Sequence, residues 1–348
     1  GGTLNLTTGG SLTGAVVNES VFNNAGTIAG LVTNNAVFTS TGTLNGGLNN
    51  SGTASISGTL NGGLNNSGSA SISGALNGAV ANSGTVTLTG ITTGIGAVTQ
   101  SGAARFELNG SDTSFGSLAG SGTVTLGGAT LTLGGNNAST SFSGVISGNG
   151  NVTKTGTGML TLTGANSYTG TTTISAGTLE LSATGELQGA VRNEANFENV
   201  GRVGGLVTNT GDLYSTGTLA GGLTNSGTAA IAGTVTGAVS NSGVMGLVGS
   251  TSGIETVNQT ASGSFYLNGF SASIGSLTGA GTVLTGGAIL TLNGGGISSF
   301  GGSITGSGGL IKAGTGSVTL TGANSYTGTT TVSGGTLAVS ATGSLAGA

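Results

Sequence analysis

A 16-residue period of glycine, an aliphatic residue and asparagine runs through the first part of this chain, and it constrains the fold more than any other feature. Glycine stands at positions 10, 26, 42, 58, 74 and 90, and again at 14, 30, 46, 62 and 78. Aliphatic residues recur as Leu12, Ile28, Leu44, Leu60 and Leu76, and four positions further on as Val16, Val32, Leu48, Leu64 and Val80. Asparagine recurs as Asn18, Asn34, Asn50, Asn66 and Asn82, and another column reads Phe22, Phe38, Ala54, Ala70, Val86. Within each element inward and outward residues alternate, as in Leu12-x-Gly14-x-Val16-x-Asn18, and a period of two marks a strand with one face turned inward. A strand-turn-strand-turn unit with fixed columns predicts an all-β fold. Its form is a single-stranded parallel β-helix, or β-solenoid, in which each coil stacks about 4.8 Å above the last. Stacked coils pair each backbone with its neighbours, and glycine at the turns supplies positive φ or close approach. A helical reading fails, because each interior glycine costs about 1 kcal/mol relative to alanine.

A longer period contains the short one. Gly2-Thr-Leu4 returns as Gly177-Thr-Leu179 and Gly30-Leu-Val-Thr-Asn34 as Gly205-Leu-Val-Thr-Asn209. Asn82 matches Asn241, and Gly164-Ala-Asn-Ser-Tyr-Thr-Gly170 matches Gly322-Ala-Asn-Ser-Tyr-Thr-Gly328. The offset shrinks by one 16-residue element along the way, so the first copy holds one extra coil. The chain therefore reads as one continuous β-solenoid over 1–348, with repeat units 2–176 and 177–334 and the start of a third at 335–348. The third copy stops at Ala348, opposite Ala15 and Ala190, and Gly1 follows no signal peptide, so a longer natural chain is expected.

Composition removes most function classes. Histidine, cysteine, proline and tryptophan do not occur, which excludes Ser-His-Asp and Cys-His machinery and zinc sites of the usual ligand set. Five basic side chains spread over 348 residues form no patch for nucleic acid, and no apolar run approaches the ~18 residues of a membrane-spanning helix. Collagen is excluded because the 77 glycines follow no Gly-X-Y period; the 35% hydrophobic content is too high for a charged disordered tail.

The segments between the 16-residue blocks carry a family signal. A Lys-x-Gly-x-Gly-x-Leu-x-Leu-x-Gly-x-Asn-x-Tyr-x-Gly string followed by Gly-Thr-Leu is formed by Lys154, Gly156, Gly158, Leu160, Leu162, Gly164, Asn166, Tyr168, Gly170 and Gly177-Thr178-Leu179. It returns as Lys312, Gly314, Gly316, Leu320, Gly322, Asn324, Tyr326, Gly328 and Gly335-Thr336-Leu337, with Val318 in place of the first leucine. This resembles the passenger-associated transport repeat, also called the autotransporter-associated β-strand repeat. The resemblance implies the secreted passenger of a Gram-negative autotransporter, a right-handed β-helix tethered to the outer membrane by a β-barrel outside this segment. Coils as short as this 16-residue element are unusual in that family. The short blocks are therefore expected to be slim and two-sided, with wider coils in the transport-repeat segments, and their hand stays open.

The acidic residues are Glu19, Glu107, Asp112, Glu180, Glu186, Glu194, Glu198, Asp212 and Glu255. A glycosidase needs two carboxylates converging across one bond, which on a solenoid means positions one coil apart or two apart on one face, and no pair in the regular blocks qualifies. Asp112 and Asp212, the two aspartates, are too far apart for calcium-dependent lyase chemistry. Charge is densest from Glu180 to Arg202, where Glu186 and Arg202, one coil apart, are expected to stack as an ion pair of a few tenths of a kcal/mol. The asparagine column reads as an amide stack, with a ligand-binding row as the alternative. Phe22 and Phe38 read as core, and Tyr168, Tyr326, Asn166 and Asn324 as structural. Thr85-Val-Thr87-Leu-Thr89 and Thr161-Leu-Thr163 have the form of an ice-binding array, but outward threonine is ordinary strand chemistry.

No catalytic, cofactor-binding or metal residue is assigned. The reading is about 20 coils, roughly 100 Å long, in a non-enzymatic section of a cell-surface protein that mediates adhesion or cell–cell contact. Expected partners are host-cell or neighbouring-cell surface components or copies of the chain itself, without nucleic acid or cofactor. A fibre-forming protein assembling head to tail through its open ends is the first alternative. A polysaccharide-active enzyme is the second.

Overall fold

The computed structural model describes residues 1–90 and 94–346; Ala348, which closes the third repeat start, lies outside the described residues. The chain divides into two compact units, Gly1–Leu179 and Glu180–Ala348. Every described element is a β-strand, and every described strand pairing within the two units is parallel, so each unit is a β-solenoid.

In the first unit each 16-residue coil carries three strands rather than the two expected. Thr53–Ile56, Thr59–Leu60 and Leu64–Asn66 belong to one such coil, and each pairs with its own copy in the neighbouring coil. The extra side arises at Gly46-Gly47 and Gly62-Gly63, where Gly47 and Gly63 adopt φ of +87° and +83° and bend the chain between the second and third strands. A two-residue strand such as Thr59–Leu60 is too short to read as alternation, which is why the sequence pattern conceals it.

Glycine at the corner before the second strand is required by stacking. A Cβ on Gly42 would lie 2.0 Å from the carbonyl oxygen of Gly26, and one on Gly58 would lie 1.9 Å from that of Gly42. Coils in hydrogen-bonded contact leave no room for a side chain there.

The aliphatic columns fill the interior. Ile28, Leu44, Leu60 and Leu76 are wholly buried, as are Val32, Leu48 and Val80, each side chain contributing about 1.5–3 kcal/mol of transfer free energy. Phe22 and Phe38 pack as core with ring centroids 5.1 Å apart. Where the phenylalanines give way to Ala54 and Ala70, the next inward position changes in the opposite sense, from Asn24 and Ser40 to Ile56 and Ile72. The second unit follows the same rule, from Phe197 with Asn199 to Leu213 with Ser215 and Ala229 with Ile231. Neighbouring inward positions thus trade volume, which holds the coil cross-section near constant at close packing.

Coils widen beyond Asn82. Val86 pairs with Phe106, and Val152 pairs with Thr172, so each of these coils takes up more chain than those before it. In the second unit the strands merge into Thr228–Asn241 and Val244–Gln259, which pair along their lengths with three register shifts where the wider coil takes up its extra residues.

Candidate functional surface

The asparagine column forms a continuous buried amide ladder. Nδ2 of Asn18 donates to Oδ1 of Asn34 at 2.6 Å, Asn34 to Asn50 at 2.6 Å, Asn50 to Asn66 at 2.8 Å and Asn66 to Asn82 at 2.9 Å. Each amide also donates to a carbonyl of the following coil, as Asn50 does to Ser69 O at 3.0 Å. The second unit repeats the arrangement through Asn193, Asn209, Asn225 and Asn241. Both ladders end in glutamine: Asn82 donates to Oε1 of Gln100 at 2.8 Å and Asn241 to Oε1 of Gln259 at 2.7 Å. The longer side chain appears where the step between successive rungs lengthens from 16 to 18 residues, which places Gln100 outside the 16-residue column of asparagines. With donors and acceptors engaged inside the coil, these amides are a structural stack and are not offered to a ligand.

The transport-repeat string is likewise directed inward. Lys154 is 1% exposed, and its Nζ donates to the carbonyls of Thr155 (2.6 Å), Gly156 (3.0 Å) and, one coil on, Ala176 (3.2 Å). Burial lowers its pKa from the ordinary lysine value. Gly177 makes this cage possible: its φ is +65°, and a Cβ there would come within 2.4 Å of Gly156 O and 2.9 Å of Lys154 Nζ. Lys312 is held in the same way by the carbonyls of Ala313, Gly314 and Gly334. Asn166 accepts the backbone N–H of Ile146 at 3.0 Å and donates to Gly164 O at 2.9 Å, and Asn324 does the same with Ile304 and Gly322.

The tyrosines complete the motif. Tyr168 and Tyr326 are fully buried, with their hydroxyls 2.5 Å and 2.6 Å from Oγ1 of Thr172 and Thr330. Burial raises both pKa values, and the threonine contact opposes the rise. A native pKa above the unfolded value of about 10 means that stability is fully present below pH 10 and is lost as pH climbs beyond it. Thermal melting followed by circular dichroism should therefore show a decline above pH 10. Tyr168→Phe combined with Tyr326→Phe should flatten that decline. An equally steep loss in the double variant would refute the assignment.

The carboxylates lie outside the core and do not converge. Asp112 Oδ1 accepts the backbone N–H of Thr130 at 2.7 Å, and Glu19 accepts from Asn35 at 2.7 Å. Glu186 and Arg202 stand in register on adjacent coils and pair at 2.8 Å, as the sequence period predicts. Arg192 and Glu194 form a second exposed pair at 2.5 Å, which the coil spacing did not indicate because it is formed within one coil. Among the described residues no group of three or more His, Cys, Asp or Glu could hold a metal ion. Thr85 and Thr87 face outward, but the register places Arg105 and Glu107 above them, so that Thr-x-Thr pattern ends after one coil. A longer outward hydroxyl row runs through Ser114, Thr132, Thr153 and Thr173.

Parallel coils with amide ladders bonded along the interior and hydroxyl rows on the exterior define a β-solenoid repeat protein. Residues 152–181 and 310–339 match the family model of the passenger-associated-transport-repeat, so the chain carries two such repeats. These are consistent with an autotransporter passenger domain and imply a secreted or cell-surface protein. No curated protein and no solved structure gave a significant match.

Proposed function

We propose that the chain is a non-enzymatic section of a Gram-negative autotransporter passenger that mediates adhesion or cell–cell contact. The observation that carries this reading is the division of polar groups. Lys154, Tyr168, Tyr326 and the ladder asparagines are spent inside the coils, while the exterior offers rows of hydroxyls and amides repeated at the coil spacing. Such rows suit many weak, equivalent contacts, in which avidity substitutes for a single tight site. Partners are surface components of host or neighbouring cells, or copies of the chain itself.

The test is to display the chain, Gly1 to Ala348, on a non-adherent Gram-negative host and to count cells retained on epithelial monolayers and cells clumped in suspension. At least a several-fold rise in either measure is expected. No rise in both would overturn the reading.

A further inference from the structure

We propose that the outward face formed by the third strands of successive 16-residue coils in the first unit, Val32–Asn34, Leu48–Asn50 and Leu64–Asn66, binds an extended, neutral β-1,4-linked polysaccharide running along the coil stack. This rests on the adhesion reading and names its ligand class. Thr33, Asn49 and Asn65 form one wall of a groove of about 220 Å³, and Asn35, Ser51 and Ser67 form the other. None of the six is charged, so the groove suits a neutral ligand.

The two walls differ in what they leave unsatisfied. Asn35 is engaged, donating to Glu19 and accepting from Ser51 Oγ at 2.8 Å. A neighbouring exposed row, Asn45, Asn61 and Asn77, is closed by amide-to-amide bonds of 2.8 Å and 2.9 Å. The side chains of Asn49 and Asn65, in contrast, make no hydrogen bond among the described residues, although they stand in register on adjacent coils. Each amide can donate and accept at once, which is the pairing that two neighbouring sugar hydroxyls present.

The spacing selects the ligand. Adjacent coils lie about 4.8 Å apart, whereas side chains on one face of an extended peptide repeat at about 6.7 Å. An equatorially linked pyranose chain in its extended form advances by nearly one coil per ring, so successive rings meet successive amides. The segments that carry these amides, 43–58 and 59–74, are identical except for Thr53 and Ser69, so the adjacent pair is one element present twice. In the matching row of the second unit the residues are Arg192, Thr208, Thr224 and Ser240, with no adjacent amide pair.

That difference supplies the variant. Asn49→Thr with Asn65→Ser installs the residues the second unit carries at these positions in the same strand, and its circular dichroism melt should match that of the parent. On a column of the immobilised full chain, cellohexaose should be retarded and maltohexaose, whose α-linkages coil the chain, should not. The double variant should bind cellohexaose about tenfold more weakly, the combined loss of two or more hydrogen bonds. The proposal is overturned by equal retention of both glucans, by unchanged binding in the variant, by no retention of cellohexaose, or by preferential retention of a Ser/Thr hexapeptide. Displaying cells that adhere equally well with the double variant would remove the groove and leave the adhesion reading standing. Cells that fail to adhere with the parent chain would remove the adhesion reading itself.

Discussion

Asn50→Asp should lower the urea midpoint of the chain sharply at neutral pH and far less at pH 3. Asn50 sits mid-ladder and 2% exposed, with Nδ2 donating to Asn66 Oδ1 (2.8 Å), Ser69 O (3.0 Å) and Gly52 O (3.1 Å). A carboxylate in its place keeps the bond received from Asn34 but turns an oxygen toward three acceptors. An uncompensated buried charge of this kind costs about 3–5 kcal/mol. The aspartate resists by raising its native pKa above the unfolded value of about 3.9. Its penalty is therefore absent below about pH 3.9 and grows as pH rises toward the native value, reaching its full size above it. Asn50→Ala, which removes the bonds without adding charge, should cost less and show little pH dependence. If the aspartate variant had the same deficit at pH 3 and pH 7, the ladder would not have the donor direction described. Midpoints are the proper observable, because stacked repeats need not unfold in one step.

Lys154→Met tests the carbonyl cage. Methionine matches the length of the lysine stem and removes the cost of burying an ammonium, so a purely apolar view of the site predicts a gain. The geometry predicts a loss. Thr155, Gly156 and Ala176 hold their carbonyls toward one point inside the coil, and methionine offers them no donor. Leaving such acceptors unmet should cost about 2–4 kcal/mol. The lysine's depressed native pKa adds a second signature. Between that value and 10.5 the unfolded chain binds more protons than the folded one, so this group makes stability of the parent rise with pH in the window. The deficit of Lys154→Met relative to the parent should widen accordingly as pH approaches 10.5. A variant as stable as the parent across the range would show that the cage contributes nothing.

Much of the fold was legible because a solenoid coil pairs with its own copy one period away. The sequence period therefore gave the register directly, and Glu186 beside Arg202, Phe22 on Phe38 and the amide ladder all follow from it. The number of strands per coil was hidden, since two-residue strands such as Thr59–Leu60 leave no alternation to read. The groove was less legible still. Asn45, Asn49 and Asn50 are near neighbours of one type, yet one is tied to its copy, one lines the groove with its amide unpaired, and one is buried in the ladder.

By itself the sequence determined that coils stack in parallel within each unit, which columns lie inside them, and which repeat model its Lys-Tyr strings match. Only the tertiary structure decided where each coil bends, that Lys154 is caged by carbonyls from two coils, and which asparagines remain unpaired outside. The reason is that periodicity specifies which residues are stacked, because identical elements seek identical neighbours. The direction of a side chain at a corner depends instead on backbone angles at glycines such as Gly63 and Gly177, and on contacts with the next coil, such as that of Lys154 with Ala176, that no local pattern encodes.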